Sequence, residues 1–331
     1  MQQIDRVKKT IIGIIIILGA IVLLFMIMEY FDEQPSTTQT DPNISSYVTI
    51  LKINNYSETD LHVLFDSQLQ EIRNSLNYTG RITLNQNDVE GKRVTMAALV
   101  DKALFTIRYE QDEQYQLKGV FIGLRPELTD FYHQVGFFDK PATAVVVYPS
   151  FTEAAYGQNG FYDYYNKKCD SKCLTVNIPD TINPIYQAGG RAFVILTLLH
   201  YDYITDIGVD RNPDILKKYD KVILLHNEYV TQKEFDAITS HPNVLYLYPN
   251  ALYAKIKTDY VNNTFSLIRG HNYPDPNIAN GFDWKFDNSR DEYNLICNNW
   301  KFKKIDNGNM LNCYPAFRLY FDQSLLRAIF E

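Results

Sequence analysis

Positive charge is scarce in this chain. Its 331 residues carry 32 Lys and Arg against 39 Asp and Glu, a net of −7. Arg6, Lys8 and Lys9 against Asp5 give +2 over residues 1–28, so −7 overall leaves −9 on the remainder. Nucleic-acid binding runs on phosphate neutralisation, and so acidic a body excludes nucleic acid as a partner. Cysteine is scarce as well, at four residues. Cys169 and Cys173 lie in a charged loop, and Cys297 and Cys313 lie beyond the strands expected below. None stands on a tight strand-to-helix turn, which excludes a thiol-dependent amidotransferase triad. A zinc site built from all four cysteines is disfavoured too, because the fifteen residues between Cys297 and Cys313 leave no paired knuckle. Small residues are missing where the long apolar run ends, at Phe25-Met26-Ile27-Met28-Glu29-Tyr30, so no small-x-small cleavage site is present there.

That run, Ile11–Met28, is 18 residues without a charge, basic before it and acidic after it. As a helix it would be roughly 27 Å long, close to the hydrocarbon thickness of a bilayer. Basic flanks stay cytoplasmic. The expectation is an uncleaved single-pass anchor in the cell membrane, with the N-terminus inside and the rest outside, and with the lipid bilayer as a partner through residues 11–28. An even cysteine count in that compartment implies disulfides. Of three connectivities, the two local pairs, Cys169–Cys173 and Cys297–Cys313, are expected. Asn43, Asn55, Asn77 and Asn262 each open an Asn-x-Ser/Thr triplet, which on an exported chain makes them glycosylation candidates.

The fold class read from the pattern is α/β behind a transmembrane helix. Residues 1–31 form the tail and anchor, and 32–46, polar and Pro-containing, a stalk. Residues 47–125 hold short β-branched and aromatic runs and read as a small β-sandwich, with one helix from helical spacing over Leu61–Leu76. Over 126–331 the runs Ala142–Tyr148, Ala192–Leu199, Lys221–Leu225 and Val244–Tyr248 are nearly continuous apolar stretches, as in a parallel sheet covered on both faces. Helices are expected within Phe151–Asn166, at Pro213–Lys218 and over Thr231–Ser240, with a short turn at Pro184–Ala188. Thr231 and Glu234 make a capping-box pattern. Gly189-Gly190-Arg191 precedes an expected strand, so it reads as a turn and not a phosphate cradle. Phe282–Phe286 and Trp300–Phe302 read as edge strands, His271 as a surface residue, and Phe317, Phe321 and Leu325 as a helix face packed on the domain.

Ligands of open α/β sheets bind beyond the carboxyl ends of the strands. Those ends are polar here: Tyr148-Pro149, His200 with Tyr201-Asp202, His226-Asn227-Glu228-Tyr229, and Tyr248-Pro249-Asn250. The expected site gathers His226 and Glu228 as catalytic candidates and Tyr148, His200 and Asn250 as binding candidates.

Over Asp202–Tyr253 the stretches Asp202-Tyr203-Ile204-Thr205-Asp206, Tyr219-Asp220-Lys221-Val222-Ile223-Leu224-Leu225-His226-Asn227-Glu228-Tyr229-Val230-Thr231 and Leu247-Tyr248-Pro249-Asn250-Ala251-Leu252-Tyr253 resemble the C-terminal domain family of the N,N-dimethylformamidase large subunit. The resemblance implies a parallel-sheet, class I glutamine-amidotransferase-like domain over about residues 140–315, often preceded by a β-sandwich. It also implies an iron site of two tyrosines and a glutamate that hydrolyses a small amide, with Glu228 as the matched acid and Tyr148 or Tyr156 available as a ligand. Two departures stand out: His241-Pro242-Asn243 occupies the turn where the family carries Gly-Gly, and Val230 replaces its Trp. The first functional expectation is therefore a surface binding or assembly component, partnered by other surface or membrane proteins, with a non-catalytic amidotransferase-like domain. The alternative is a metal-assisted amide hydrolase holding iron or zinc through Glu228 and Tyr148.

Overall fold

Runs of β-branched residues without polar alternation become strands buried on both faces, and that pattern organises the molecule. The computed structural model describes residues 103–331 except 112–116, 183–188, 296 and 317, together with three earlier strands. The anchor run 11–28, the stalk, the helix expected at 61–76, the turn at 184–188, Phe317, and Asn43, Asn55 and Asn77 lie outside the described residues. No helix among the described residues is long and apolar enough to cross a membrane.

The first sheet contains β1 (Val48–Ile50), β2 (Ile82–Val89), β3 (Arg93–Val100), β4 (Phe105–Gln111) and β5 (Leu117–Leu124), in the order β1-β5-β4-β3-β2 and antiparallel throughout. These are the strands expected of a sandwich, but they form one sheet, and no second sheet faces it among the described residues. Leu104, Phe105 and Ile122 join the core of the following domain instead. Phe105 stacks on Tyr132 at 5.8 Å, and Leu104 N donates to Tyr320 O at 2.6 Å.

The central sheet has β6 (Ala144–Tyr148), β8 (Asp202–Thr205), β9 (Lys221–Leu224), β11 (Val244–Tyr246), β14 (Phe302–Ile305) and β15 (Gly308–Leu311), in the order β14-β15-β11-β9-β6-β8. All neighbours are parallel except the β14–β15 hairpin. Alternate residues serve opposite faces. Val145, Val147, Val222, Leu224, Val244 and Tyr246 pack beneath α5 (Asp206–Arg211) and α6 (Gln232–Ser240), while Val146, Tyr148, Ile223 and Leu245 pack against α1 (Thr129–Val135), α4 (Gly190–Leu198) and α7 (Gln323–Phe330). The capping box opens α6 as expected, with Glu234 N donating to Thr231 Oγ1 at 3.2 Å and Thr231 N to Glu234 Oε2 at 2.7 Å. Leu325 packs on the domain as expected of a C-terminal helix.

A third sheet, β10-β12-β13-β7, contains β7 (Thr175–Asn177), β10 (Tyr229–Val230), β12 (Ala254–Asp259) and β13 (Thr264–Arg269). It covers α2 (Ser150–Tyr156) and α3 (Phe161–Tyr165) through Phe151, Phe161, Tyr229 and Phe265.

Three expectations need correction. The run Ala192–Leu199 is not a strand but most of helix α4. It lies between the central sheet and β5, so nearly every side chain is buried, and a helix covered all round carries no amphipathic stripe to distinguish it from a strand. Gly189-Gly190 consequently opens a helix; Gly189 takes φ 108° as its N-cap. Phe282–Phe286 is irregular, because Asn280 Oδ1 takes the Phe282 and Trp284 N–H groups, at 2.8 and 3.2 Å, that a ladder would need. Of Trp300–Phe302 only Phe302 enters a strand.

Both local disulfides are formed, with Cα separations of 6.0 Å for Cys169–Cys173 and 5.2 Å for Cys297–Cys313, and no described cysteine is free. Two such bonds point to an oxidising, extracytoplasmic compartment. Asn262 lies exposed in the turn between β12 and β13, where Nδ2 donates to Asp259 Oδ2 at 2.7 Å.

Candidate functional site

Three loops meet at the carboxyl edge of the central sheet. After β6, Pro149 ends the strand and α2 begins. Gly160 then turns the chain into α3; a Cβ there would stand 2.3 Å from Ala155 O, so this close approach requires glycine. The turn lays Tyr162 against Tyr156, ring centroids 4.2 Å apart. After β9, the turn 226–228 is held from beneath by Thr152, whose Oγ1 accepts from Glu228 N at 3.0 Å and Tyr229 N at 3.2 Å. After β13, Gly270, His271 and Asn272 all take left-handed φ, 104°, 53° and 62°, and swing the His271 ring inward.

Glu228 occupies the centre and is 1% exposed. Its Oε2 accepts from Tyr156 Oη at 2.6 Å, with Asn250 Nδ2 at 3.5 Å, and its Oε1 lies 3.2 Å from His271 Nδ1. Tyr162 Oη donates to Tyr156 Oη at 2.8 Å. His226 Nε2 lies 3.4 Å from Glu228 Oε2, within ion-pair range but not aligned as a hydrogen bond. The other ring nitrogen, Nδ1, lies 2.7 Å from Tyr314 Oη.

Burial alone would push the Glu228 carboxyl up. The His271 hydrogen bond and the positive charge that the His226 and His271 rings carry when protonated outweigh it and bring it down to about 2, so the group is ionised although fully enclosed. Burial, reinforced by that negative charge, pushes the Tyr156, Tyr162 and Tyr229 phenols well up, so they stay protonated as donors. Glu292, half-buried within reach of the same charges, is raised by burial and by Glu228.

The ring of residues around Glu228 has unmet hydrogen-bonding capacity. Buried atoms without a partner include His226 Nε2, Asn227 Nδ2 and Oδ1, Tyr229 Oη, Tyr248 Oη, Asn250 Oδ1 and Tyr165 Oη. Tyr229, Tyr165 and Tyr156 are ring neighbours of His271, His271 and His226 respectively, and Tyr248 stacks on His226 at 5.9 Å. Native interiors rarely leave so many polar atoms orphaned in one place, and such concentrations mark where water, an ion or a ligand belongs.

Of the candidates read from the sequence, His226, Glu228, Tyr156 and Asn250 converge. Tyr148 ends β6 as expected, and its hydroxyl donates to Glu153 Oε2 at 2.7 Å. His200 does not join them. The run before it is a helix, so it stands at the amino end of β8, on the opposite edge of the sheet, exposed and packed on Phe138 at 4.3 Å. His271, Tyr162 and Tyr314 were not foreseen as site residues. For His271 the signal was Gly270, a glycine whose left-handed turn aims the next side chain; nothing in the local pattern marks Tyr314.

An iron site was implied by the resemblance, and the donors present can be tested against it. His226 and His271 approach different oxygens of Glu228, and no group of three His, Cys, Asp or Glu among the described residues could hold a metal. The hydroxyls of Tyr156 and Tyr162 with the Glu228 carboxylate instead form a run of oxygens at 2.6 and 2.8 Å. All-oxygen donors suit a hard cation such as iron better than zinc, provided the cation displaces the two phenol protons. In comparison with known proteins, the chain matches no family model and no curated protein.

Proposed function

We propose that this chain is a membrane-tethered, extracytoplasmic hydrolase of a small amide, assisted by a metal held through Glu228, Tyr156 and Tyr162. The observation that carries the proposal is an ionised, enclosed carboxylate ringed by buried polar atoms without partners. Tyr156, His271 and His226 already offset the burial of Glu228, so the surrounding unmet capacity supports a ligand rather than a structural role. The resemblance of 202–253 to the dimethylformamidase C-terminal family supports the same reading, as do three consecutive left-handed residues at 270–272, since backbone strain gathers at functional sites.

Glu228, Tyr156 and Tyr162 would hold an iron ion there, which would supply Lewis-acid polarisation of the amide carbonyl and an activated water. The chain's residues do the rest. His226 and His271 hold the two oxygens of Glu228 in place. Asn250 Oδ1 is free to accept the amide N–H, and the Tyr229 hydroxyl to donate to its carbonyl oxygen. The anchor at 11–28 keeps the domain on the outer face of the membrane, where disulfides persist.

Metal content of the full-length chain, purified in detergent without added chelator, tests the proposal. Stoichiometric iron in the wild type, lost in Glu228→Gln and in Tyr156→Phe, is expected. A metal-free wild type that yields one stable protein partner on mild cross-linking would return the chain to the surface-assembly reading.

A further inference from the structure

The Cys297–Cys313 disulfide and the Glu228 site touch through one residue. Cys313 and Cys297 are both buried, and Tyr314 follows Cys313 directly. The Tyr314 backbone N donates to Asn294 O at 3.1 Å, and Asn294 Nδ2 donates to Asn312 O at 3.1 Å, so Asn294 is laced to the segment 312–314. Arg318 Nε donates to Cys297 O at 3.1 Å and closes the lacing from below. From this frame the Tyr314 ring packs edge-on against Tyr248 at 4.6 Å and against His226 at 5.3 Å, and its hydroxyl stands 2.7 Å from His226 Nδ1.

A hydroxyl can give or take a hydrogen bond at that nitrogen; a protonated ring has an N–H at both nitrogens and Tyr314 then accepts, but on a neutral ring the two choices have opposite consequences on the far side. If Tyr314 accepts from Nδ1–H, a neutral ring turns its Nε2 lone pair toward the Glu228 carboxylate 3.4 Å away, which is repulsive. If Tyr314 donates to Nδ1, the proton sits on Nε2 and faces the carboxylate. We propose that Tyr314 is a positioning residue that donates to His226 Nδ1, fixes His226 as its Nε2–H tautomer toward Glu228, and is itself held in place by the Cys297–Cys313 disulfide. The site is then complete only when that disulfide is formed, which ties its assembly to an oxidising compartment.

The inference rests on Glu228 as the functional centre but needs no metal. The full-length chain, labelled with 15N at its six histidines and treated with chelator, is compared by NMR as wild type, Tyr314→Phe, and Cys297→Ala/Cys313→Ala. Phenylalanine keeps the ring packing and removes only the hydroxyl. In the wild type, the His226 signals, assigned with His226→Gln, should show a protonated Nε2 and a lone pair on Nδ1. Tyr314→Phe should lose that single pattern, and the cysteine pair should lose it in the same direction while Tyr314 remains. A wild-type proton on Nδ1, or an unchanged pattern in Tyr314→Phe, overturns the positioning role. An unchanged pattern without the disulfide overturns the tie to the cysteines. A chain that is metal-free as purified and still shows these shifts would sink the hydrolase reading and leave this one standing.

Discussion

Two regions bury acids, and they treat them in opposite ways. At the carboxyl edge of the central sheet, Glu228 is held ionised by two imidazoles. Beneath the same sheet, Asp206, Asp210 and Glu234 lie buried between α5 and α6. Asp206 accepts from Phe151 N at 3.0 Å and Ile207 N at 2.8 Å, so it takes up N–H groups in the first turns of α2 and α5, beside the Thr205 cap of α5. Asp210 accepts from Thr231 Oγ1 at 2.6 Å, Thr258 Oγ1 at 3.1 Å and Tyr260 Oη at 2.5 Å. Burial pushes Asp206 and Glu234 well up, Glu234 further through the charge of Asp206. These acids tie helix starts and strands together and leave one carboxyl oxygen, Glu234 Oε1, without a partner, against the seven such atoms gathered around Glu228. The partners of Glu228 come from separate loops and retain capacity to spare. The lesson is that burial of an acid does not by itself mark a site; unmet polar capacity around it does.

The sharpest test of the contrast is acid titration of stability. Glu228 has its folded-state value below the ordinary 4.5, so its stabilisation is complete above 4.5 and is lost as pH falls toward about 2. The loss should amount to about 3 kcal/mol. Urea unfolding followed by fluorescence of Trp284 and Trp300, both within this domain, reads it, and Glu228→Gln should flatten the curve in that window. A wild-type curve already flat between those values would break the comparison.

Removing the Cys297–Cys313 loop closure, sixteen residues in separation, should lower the unfolding free energy by about 3 kcal/mol. The four-residue Cys169–Cys173 closure should contribute about 2 kcal/mol on the same loop-entropy grounds. Single-pair serine variants unfolded side by side would show the order, and a reversal would mean strain or denatured-state structure dominates.

Thr152→Val should cost about 1.5 kcal/mol, because it takes the Thr152 acceptor from Tyr229 N under the Glu228 turn and leaves Glu228 N with His226 O alone, 3.0 Å away. The same variant should lose bound metal in parallel; retention of both stability and metal would show that the turn holds itself.

The smallest effect belongs to the other region. Glu234 has its folded value raised, so the stability it contributes is greatest in acid and is lost as pH rises above 4.5. Glu234→Gln keeps an acceptor for Thr231 N and removes that loss, so at neutral pH the variant should gain about 1 kcal/mol. Destabilisation at neutral pH would mean the ionised acid is needed there.

Much of the central sheet could be read from the chain because β6, β9 and β11 are short β-branched runs bounded by turns, and the start of α6 because a capping box is local chemistry. The His226–Glu228 corner was readable for the same reason: it directly follows a strand end. What failed had a non-local cause. Whether Ala192–Leu199 would be strand or helix depended on being covered from both sides, and that single misreading placed His200 on the wrong edge.

By itself the sequence determined the α/β class, the two local disulfides, the acid at the end of β9 and the tyrosine-rich loop facing it, because each is set by hydrophobic period, short cysteine separation or adjacency to a strand end. Only tertiary structure decided which oxygens meet. His271 arrives from 43 positions away and Tyr314 from 88. Their convergence depends on sheet order and on left-handed turns whose stability comes from packing, and no local window of residues encodes either.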